Sequence, residues 1–222
     1  MEVTLADAVA WIARGGMLAY PTETVWGLGA DARSDAAIGR LRAFKGRGDE
    51  APISILVTGL GALAALGFRL DVAADRLAQE FWPGPLTLVL PCDGAFAPGI
   101  AREDGAIGVR CTPHEVASEL AARCERAGAG PLTATSCNAA GEPAARTRGE
   151  VLRVCERDPG VRVVMGGGDA AGASFAQRDE GERRPEVLPS TVVDLTGPTP
   201  RVLRWGALAE AALRPVLEEL AA

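Results

Sequence analysis

Hydrophobic and polar positions along the chain follow two periods, one near 3.6 residues and one near two. Apolar residues at helical spacing follow Thr4 and Ser34, two residue types that cap helix N-termini. The pattern predicts helices over about 4–14, 34–45, 59–81 with a break near Gly67, 114–128, 149–157 and 206–221 with an interruption at Pro215, and strands over 17–21, 52–57, 86–91, 106–111, 131–136, 161–165, 190–195 and 201–205. Helices and strands alternate, which indicates a mixed α/β fold.

The chain length and one stretch without periodicity complete this map. A chain of 222 residues buries enough surface to fold without disulfides or metals, and we expect one domain over residues 1–222. Residues 166–186 carry glycine and charge but no apolar period, which predicts a long loop. Loops of this length in compact domains are usually functional or disordered.

Composition narrows the class of protein. Apolar residues make up 48% and charged residues 23%, which is typical of a globular domain in water. No apolar run approaches about 18 residues and the first segment has early acids, so we expect neither a membrane span nor a signal peptide. The five cysteines form no CxxC pair, which favours reduced thiols and a cytoplasmic location. A net charge of −6 argues against a protein that mainly coats nucleic acid.

Lysine occurs once. Lys45 is the single lysine among 23 basic residues, and the others are arginines. A position that remains lysine while all other basic residues are arginine indicates that a compact ammonium is needed there rather than a planar guanidinium. Lys45 and Arg47 lie at the predicted end of a helix, where the two cations could hold a triphosphate. The alternative is that both only complement the helix dipole.

The segment at 20–29 is rich in side chains that contact ligands. It places Thr22, Glu23 and Thr24 directly after a buried strand, and strand ends of α/β sheets are where small ligands bind. The alternative is a β-turn in which the threonine hydroxyls satisfy their own backbone.

Two later segments have similar character. Residues 133–143 place Ser136 and Asn138 in a turn of small residues, which is typical of sites that hold phosphate oxygens or a nucleobase edge. The alternative is a plain polar turn between a strand and a helix. Further along, Arg204 could return across a predicted hairpin toward Ser190, although the pattern alone favours an ordinary amphipathic hairpin.

Several enzyme templates are absent from the sequence. His114 is the only histidine, so neither an HExxH motif nor a two-histidine metal site exists, and we predict no metal held by the protein itself. The chain has no GxxxxGK[ST] loop and no GxSxG elbow. We expect His114 to pack or to contact a ligand rather than relay protons. What remains is phosphate handling by lysine, arginine, hydroxyls and backbone.

In order along the chain, these segments resemble the YrdC-like family, the threonylcarbamoyl-adenylate synthases. The matching stretches are AYPTETVWGLGADA at 19–32, the Lys45-x-Arg47 pair followed by PISILV, FWPGPLTLVLP at 81–91, GVRCTPH at 108–114, TATSCNAAGEP at 133–143 and PSTVVDLTGPTPRVLRWGAL at 189–208. The resemblance covers about residues 4–208 and implies the short single-domain form. It further implies a twisted open mixed sheet with flanking helices around a large concave cavity.

The resemblance also implies a reaction and a set of site residues. The family makes L-threonylcarbamoyl-AMP and pyrophosphate from L-threonine, bicarbonate and ATP, for the threonylcarbamoyl modification of tRNA. Lys45 and Arg47 would be the catalytic pair that holds the ATP phosphates. Thr24 would contact the threonine, and Arg110 would contact the phosphates. Ser136 and Asn138 would bind nucleotide and phosphate. Ser190 would lie near the threonine or the phosphates, and Arg204 would lie near the nucleotide.

By the same resemblance Mg²⁺ would arrive with ATP, and tRNA and downstream threonylcarbamoyl transferase proteins would be further partners. The chain departs from the family pattern at Trp26, Gly48, Ala51, Cys137, Ala144 and Trp205. Two alternatives therefore stay open at this point. One is a YrdC-like RNA-binding or regulatory module, and the other is a related carbamoyl-adenylate enzyme.

Overall fold

The fold consists of helices and two mixed sheets, and the computed structural model describes residues 1–46, 52–139, 141–164 and 188–221. The helices are α1 (Leu5–Ala13), α2 (Asp35–Lys45), α3 (Leu60–Ala65), α4 (Val72–Phe81), α5 (Glu115–Arg126), α6 (Arg148–Cys155) and α7 (Glu210–Ala221). The strands are β1 (Glu2–Val3), β2 (Met17–Tyr20), β3 (Gly27–Gly29), β4 (Ile55–Leu56), β5 (Leu86–Pro91), β6 (Ala106–Arg110), β7 (Leu132–Thr133), β8 (Thr135–Ser136), β9 (Val161–Val164), β10 (Thr191–Asp194) and β11 (Arg201–Arg204). The predicted mixed α/β class is confirmed.

The strands pair in two sets. One sheet has the order β1-β9-β2-β3-β8 and the other has the order β11-β10-β5-β6-β4-β7. Parallel pairs join β1 to β9, β9 to β2, β10 to β5 and β4 to β6, and the other neighbours are antiparallel. One core cluster takes buried side chains from both sheets, among them Leu28 and Val109. The large concave cavity that the resemblance implies stays a prediction.

Local capping explains where the first helices begin and end. The Thr4 hydroxyl accepts from the backbone N–H of Asp7, and the Ser34 hydroxyl accepts from that of Ala37, so both predicted N-caps are confirmed. Helix α2 ends at Gly46, whose φ of 61° is a left-handed conformation that glycine adopts without strain. This cap sets the last turn of α2, which carries Lys45.

The stretch predicted as one strand at 131–136 is instead two short strands in different sheets. Thr133 pairs with Ile55 in one sheet, whereas Thr135 pairs with Leu28 in the other. Between them, the backbone N–H of Ala134 donates to Ser54 O at 2.7 Å. The periodicity of the sequence shows that the chain is extended here but not that it changes its partner strand from β4 to β3. This crossing of the chain from one sheet to the other joins the two sheets.

Strand β3 was not predicted because two of its three residues are glycines. A Cβ on Gly27 would lie 2.6 Å from Tyr20 Cζ, and one on Gly29 would lie 2.9 Å from Tyr20 Cε1. The glycines therefore allow the Tyr20 ring to lie across β3, where its hydroxyl donates to Thr133 O at 2.8 Å. This packing anchors the end of β2, from which the segment with Thr24 continues.

Other predicted bounds need correction. The strand predicted at 52–57 is reduced to β4, and the break near Gly67 is a full gap between α3 and α4. Helix α7 runs through Pro215 without the predicted interruption. Leu213 and Val216 on either side of this proline are buried in the core, and their packing holds the helix together despite the lost backbone hydrogen bond.

Two further predictions concern a long loop and the absence of a membrane span. The loop predicted at 166–186 lies outside the described residues. Within the described ranges no helix is both long enough and apolar enough to cross a membrane.

Asp194 at the end of β10 is a buried carboxylate that stabilises the sheet. Its Oδ2 accepts from Arg102 Nη1 at 2.8 Å, and its Oδ1 accepts from the Thr196 hydroxyl at 2.7 Å. Burial by itself would raise the pKa of Asp194, but these hydrogen bonds outweigh it and lower the pKa to about 2. The ionised group therefore contributes stability that is present above pH ~4 and is lost as the pH falls toward 2.

The variant Asp194→Asn is expected to lose about 2 kcal/mol of unfolding free energy at pH 7, because a charge-assisted hydrogen bond in a buried position is removed. Its stability is also expected to depend less on pH between 4 and 2. Urea unfolding at several pH values measures both effects. Asp93→Asn, which removes an exposed ion pair with Arg69, is the control and should change stability by less than about 1 kcal/mol. Equal losses in the two variants would contradict the account.

Candidate functional site

Several predicted site residues lie at one side of the larger sheet, where β6 and β11 end and β5 and β10 begin. Arg110 is the last residue of β6 and pairs with Thr87 near the start of β5. Strand β10 runs parallel to β5, so Ser190, directly before β10, lies at the same edge. Strand β11 returns antiparallel and ends there with Arg204. The register of four strands thus gathers two guanidinium groups and two hydroxyls.

A second cluster forms between the end of α2 and the end of β8. Lys45 is 1% exposed, and its Nζ donates to Ser136 O at 2.5 Å and to Asn138 Oδ1 at 2.9 Å. The Ser136 hydroxyl also donates to Asn138 Oδ1, at 2.6 Å, and Asn138 Nδ2 donates to Glu142 O at 2.6 Å. The ammonium of Lys45 is therefore directed at the Ser-x-Asn turn rather than only at the carbonyls that end its own helix.

A third cluster lies where the segment after β2 meets β6. Arg110 Nη2 donates to Glu23 Oε1 at 2.6 Å and to Thr24 Oγ1 at 2.9 Å. Glu23 Oε2 accepts from the Thr112 hydroxyl at 2.5 Å. Thr22 closes the turn, since its hydroxyl donates to Val25 O at 2.6 Å. The turn predicted as the alternative interpretation is thus present, and it also presents Thr24 to a guanidinium.

Ser190 and Arg204 approach each other across the hairpin, which is one of the two alternatives that the sequence left open. Arg204 Nη2 donates to Ser190 O at 2.9 Å, and Arg204 Nε donates to the same oxygen at 3.2 Å. The hydroxyls of Ser190 and Thr87 are 2.8 Å apart and share one hydrogen bond. Both hydroxyl-bearing residues are buried, so the hydroxyl pair is shielded from water.

One cleft is lined by at least one residue of each cluster, namely Thr22, Arg110 and Ser136, together with Tyr20, Trp26 and others. Although Arg204 as a residue is exposed, shielding of its guanidinium lowers its pKa, and the positive charge of Arg110 lowers it further. Lys45, Arg110 and Arg204 bring three cations to this region, while Glu23 supplies one carboxylate. An anionic ligand would relieve the remaining repulsion.

His114 and Cys137 are two further groups whose pKa values are shifted by the protein interior. Burial lowers the pKa of His114, the N-cap of α5, and its buried Nδ1 has no hydrogen-bond partner among the described residues. The expectation that His114 packs or contacts a ligand rather than relays protons stays a prediction. The pKa of Cys137 is raised by its hydrogen bond with Cys155 and by burial, so it remains a thiol.

The structure brings together most of the residues that the sequence singled out. Their positions are those described above for Thr24, Lys45, Arg110, Ser136, Asn138, Ser190 and Arg204. Arg47 lies outside the described residues. Glu23 was singled out with Thr22 and Thr24, whereas two further side chains at the site, Thr87 and Thr112, had no predicted role. The signal for Thr87 was a lone hydroxyl inside the apolar strand LTLVLP, because a buried hydroxyl needs a partner.

The donor set shows how a metal could be held. Among the described residues no group of three or more histidine, cysteine, aspartate or glutamate side chains could hold a metal ion. The oxygens of Ser136 and Asn138 are already engaged by the Lys45 ammonium. This arrangement fits Mg²⁺ only where a ligand's phosphates supply most of its coordination.

The two mixed sheets and their flanking helices define an α/β protein, in which the candidate site includes the cations of Lys45, Arg110 and Arg204. The family model of the Sua5, YciO and YrdC proteins, described as telomere recombination, matches residues 10–174. The chain belongs to the Sua5/YciO/YrdC family.

Individual relatives are similar over much or all of the chain. A threonylcarbamoyl-AMP synthase of Chromohalobacter salexigens is 42% identical over 148 residues, covering 66% of this chain and 77% of the relative. One of Pyrococcus abyssi is 34% identical over 219 residues, covering 99% of this chain and 58% of the relative. The crystal structure of P. abyssi Sua5 complexed with L-threonine matches with a TM-score of 0.83 at 30% identity, covering 99% of this chain and 61% of that one. This chain thus spans about three fifths of the P. abyssi protein.

Proposed function

We propose that this protein is an L-threonylcarbamoyladenylate synthase, which makes threonylcarbamoyl-AMP and pyrophosphate from L-threonine, bicarbonate and ATP. The observation that carries the proposal is the buried Lys45 ammonium, held by Ser136 and Asn138 beside the cleft that Arg110 lines. Relatives named threonylcarbamoyl-AMP synthase, and the Sua5 structure that contains L-threonine, support the choice of substrates. In reaction class it is a nucleotidyltransferase.

The phosphates of ATP would occupy the end of the cleft formed by α2 and the Ser-x-Asn turn. The Lys45 ammonium is a compact charge that can follow the phosphate oxygens as pyrophosphate leaves. Arg47, two residues along the chain, would add a bidentate contact. The hydroxyl of Ser136 and the amide of Asn138 would orient the nucleotide, and Arg204 beside Ser190 would contact it from the hairpin.

The amino acid would lie at the other end of the cleft, against Thr24, and Arg110, which donates to Thr24 Oγ1, would help to hold the phosphates. The threonine amine adds to the carbon of bicarbonate with loss of water, which gives an N-carboxy group. An oxygen of this carboxylate then attacks the α-phosphorus of ATP, and the bond to the leaving pyrophosphate breaks. Such a transfer requires positioning and charge neutralisation more than a nucleophilic side chain. The hydroxyl, ammonium and guanidinium groups of this cleft supply both.

We propose that Mg²⁺ enters with ATP, bound mainly by the phosphates, and reduces their negative charge when present. The free, buried cysteines agree with the reduced environment of the cytoplasm, where the substrates are available. Delivery of the product to tRNA through transferase proteins, and direct binding of tRNA, stay predictions.

Pyrophosphate release by the purified protein tests the proposal. With Mg·ATP, we expect release only when both L-threonine and bicarbonate are present, and a large loss when either is omitted. Release that needs carbamoyl phosphate instead of threonine and bicarbonate would assign the chain to a related carbamoyl-adenylate enzyme. Binding of RNA with strong salt dependence and no release under any condition would favour the binding module.

A further inference from the structure

Arg110 is held from one side only. Its Nη2 donates both of its described hydrogen bonds, to Glu23 and to Thr24, whereas its buried Nε has no partner among the described residues. The side chain is 11% exposed, so water reaches little of it. A guanidinium has five donors, and a buried one with an unpaired donor is costly unless a ligand completes its hydrogen bonds. The arrangement therefore points to an acceptor that arrives with a substrate.

Glu23 is fixed independently of the arginine that it pairs with. Thr112, which is 2% exposed, donates its hydroxyl to Glu23 Oε2 at 2.5 Å, while Oε1 accepts from Arg110 at 2.6 Å. One oxygen is thus tied to the protein interior and the other to the guanidinium. A carboxylate held at both oxygens has one orientation, and it passes that orientation on to Arg110.

Charge explains why Arg110 needs such a partner. The positive charge of Arg110 acts on Arg204, so the two guanidinium groups repel each other. The carboxylate of Glu23 lies on the side of Thr24 and attracts Arg110 toward that side. Without this attraction the guanidinium would be free to adopt other rotamers.

We propose that Glu23 is a positioning residue, which is held by Thr112 and directs the unpaired donors of Arg110 toward an oxyanion of a substrate. The oxyanion is either the carboxylate of the amino acid or a phosphate of ATP. This inference rests on the proposed function, because that function supplies both anions. Glu23 itself need not touch either substrate.

The test compares Glu23→Gln with the wild-type protein by measuring KM for L-threonine and for ATP separately. Glutamine has almost the same volume but lacks the charge, and it cannot accept at both ends of its head group. We expect the KM of one substrate to rise at least about tenfold, as for loss of one charge-assisted contact, while the other KM changes less than about twofold. The substrate whose KM rises identifies the oxyanion.

A matched pair of variants at Thr112 isolates the positioning effect. Thr112→Val keeps the carboxylate but removes its hydroxyl partner, and it should raise the KM of the same substrate by a smaller factor. Thr112→Ser restores the hydroxyl and should return that KM to the wild-type value. Equal changes in both KM values, or a lower melting temperature without a split between them, would show that Glu23 is merely structural and would overturn the inference.

Calorimetric titration with L-threonine and with ATP separates this inference from the proposed function. If the wild type binds a ligand but releases no pyrophosphate, the proposed synthase activity fails. In that case, at least tenfold weaker binding of one ligand to Glu23→Gln still supports the positioning of Arg110 by Glu23. If the wild type releases pyrophosphate and Glu23→Gln binds both ligands normally, only the positioning inference fails. A wild type that binds neither ligand overturns both.

Discussion

Replacing Lys45 with alanine is expected to lower kcat/KM for pyrophosphate release by at least about 10³-fold. The Lys45 ammonium is buried and donates to Ser136 O and Asn138 Oδ1, so the substitution removes the cation that would neutralise the phosphates and two charge-assisted hydrogen bonds. Lys45→Met keeps most of the side-chain volume without the charge and should lose as much activity. Initial rates at saturating threonine and bicarbonate measure the effect.

Lys45→Arg distinguishes the need for an ammonium from the need for a positive charge. A planar fork does not fit a site that encloses a compact ammonium, so we expect about a 10²-fold loss. Arg40→Ala removes an exposed cation from the same helix, where it donates to Gly15 O, and should leave the rate within about twofold. Full activity of Lys45→Arg would show that the single lysine of the chain has no special role.

Asn138→Asp is expected to raise the KM for ATP about 10²-fold while the KM for threonine changes less than about threefold. The new carboxylate would pair with the Lys45 ammonium, which lies 2.9 Å from Asn138 Oδ1, and neutralise the charge meant for the phosphates. It would also lose the donation from Nδ2 to Glu142 O. Steady-state kinetics with each substrate varied in turn measures both constants.

The control for this charge change is Glu142→Gln in the same turn. This substitution removes an exposed carboxylate that pairs with Arg157. The backbone oxygen of residue 142 still accepts from Asn138 Nδ2. Both KM values should stay near those of the wild type. A normal KM for ATP in Asn138→Asp would contradict the proposal that the Lys45 charge holds phosphate.

Elements that depend on neighbouring residues could be predicted from the sequence. Helices α1 and α2 begin at the predicted caps Thr4 and Ser34, because a capping hydroxyl needs only the backbone three residues away. Elements that depend on distant partners could not. Strand β3 consists largely of glycine and exists because β2 and β8 pair with it, and the chain through Pro215 stays helical because its neighbours are buried.

The candidate site divides in the same way. The Lys45, Ser136 and Asn138 group could be predicted, since an unusual lysine and a small polar turn are visible along the chain. The closeness of Lys45 to Ser136 and Asn138, however, depends on the crossing of the chain from one sheet to the other between β7 and β8. Thr87 became a candidate only through its contact with Ser190 on another strand, and the partner of Glu23, Arg110, could not be predicted. A sequence pattern indicates that a buried polar group needs a partner but does not identify it.

Mass spectrometry of the product formed from ¹³C-labelled bicarbonate shows whether this protein makes threonylcarbamoyl-AMP. The protein is incubated with Mg·ATP, L-threonine and the label, and the nucleotide products are analysed at once. The account predicts threonylcarbamoyl-AMP that carries one ¹³C atom, formed by the wild type and absent with Lys45→Met. Consumption of ATP without any labelled threonine–AMP conjugate would contradict it.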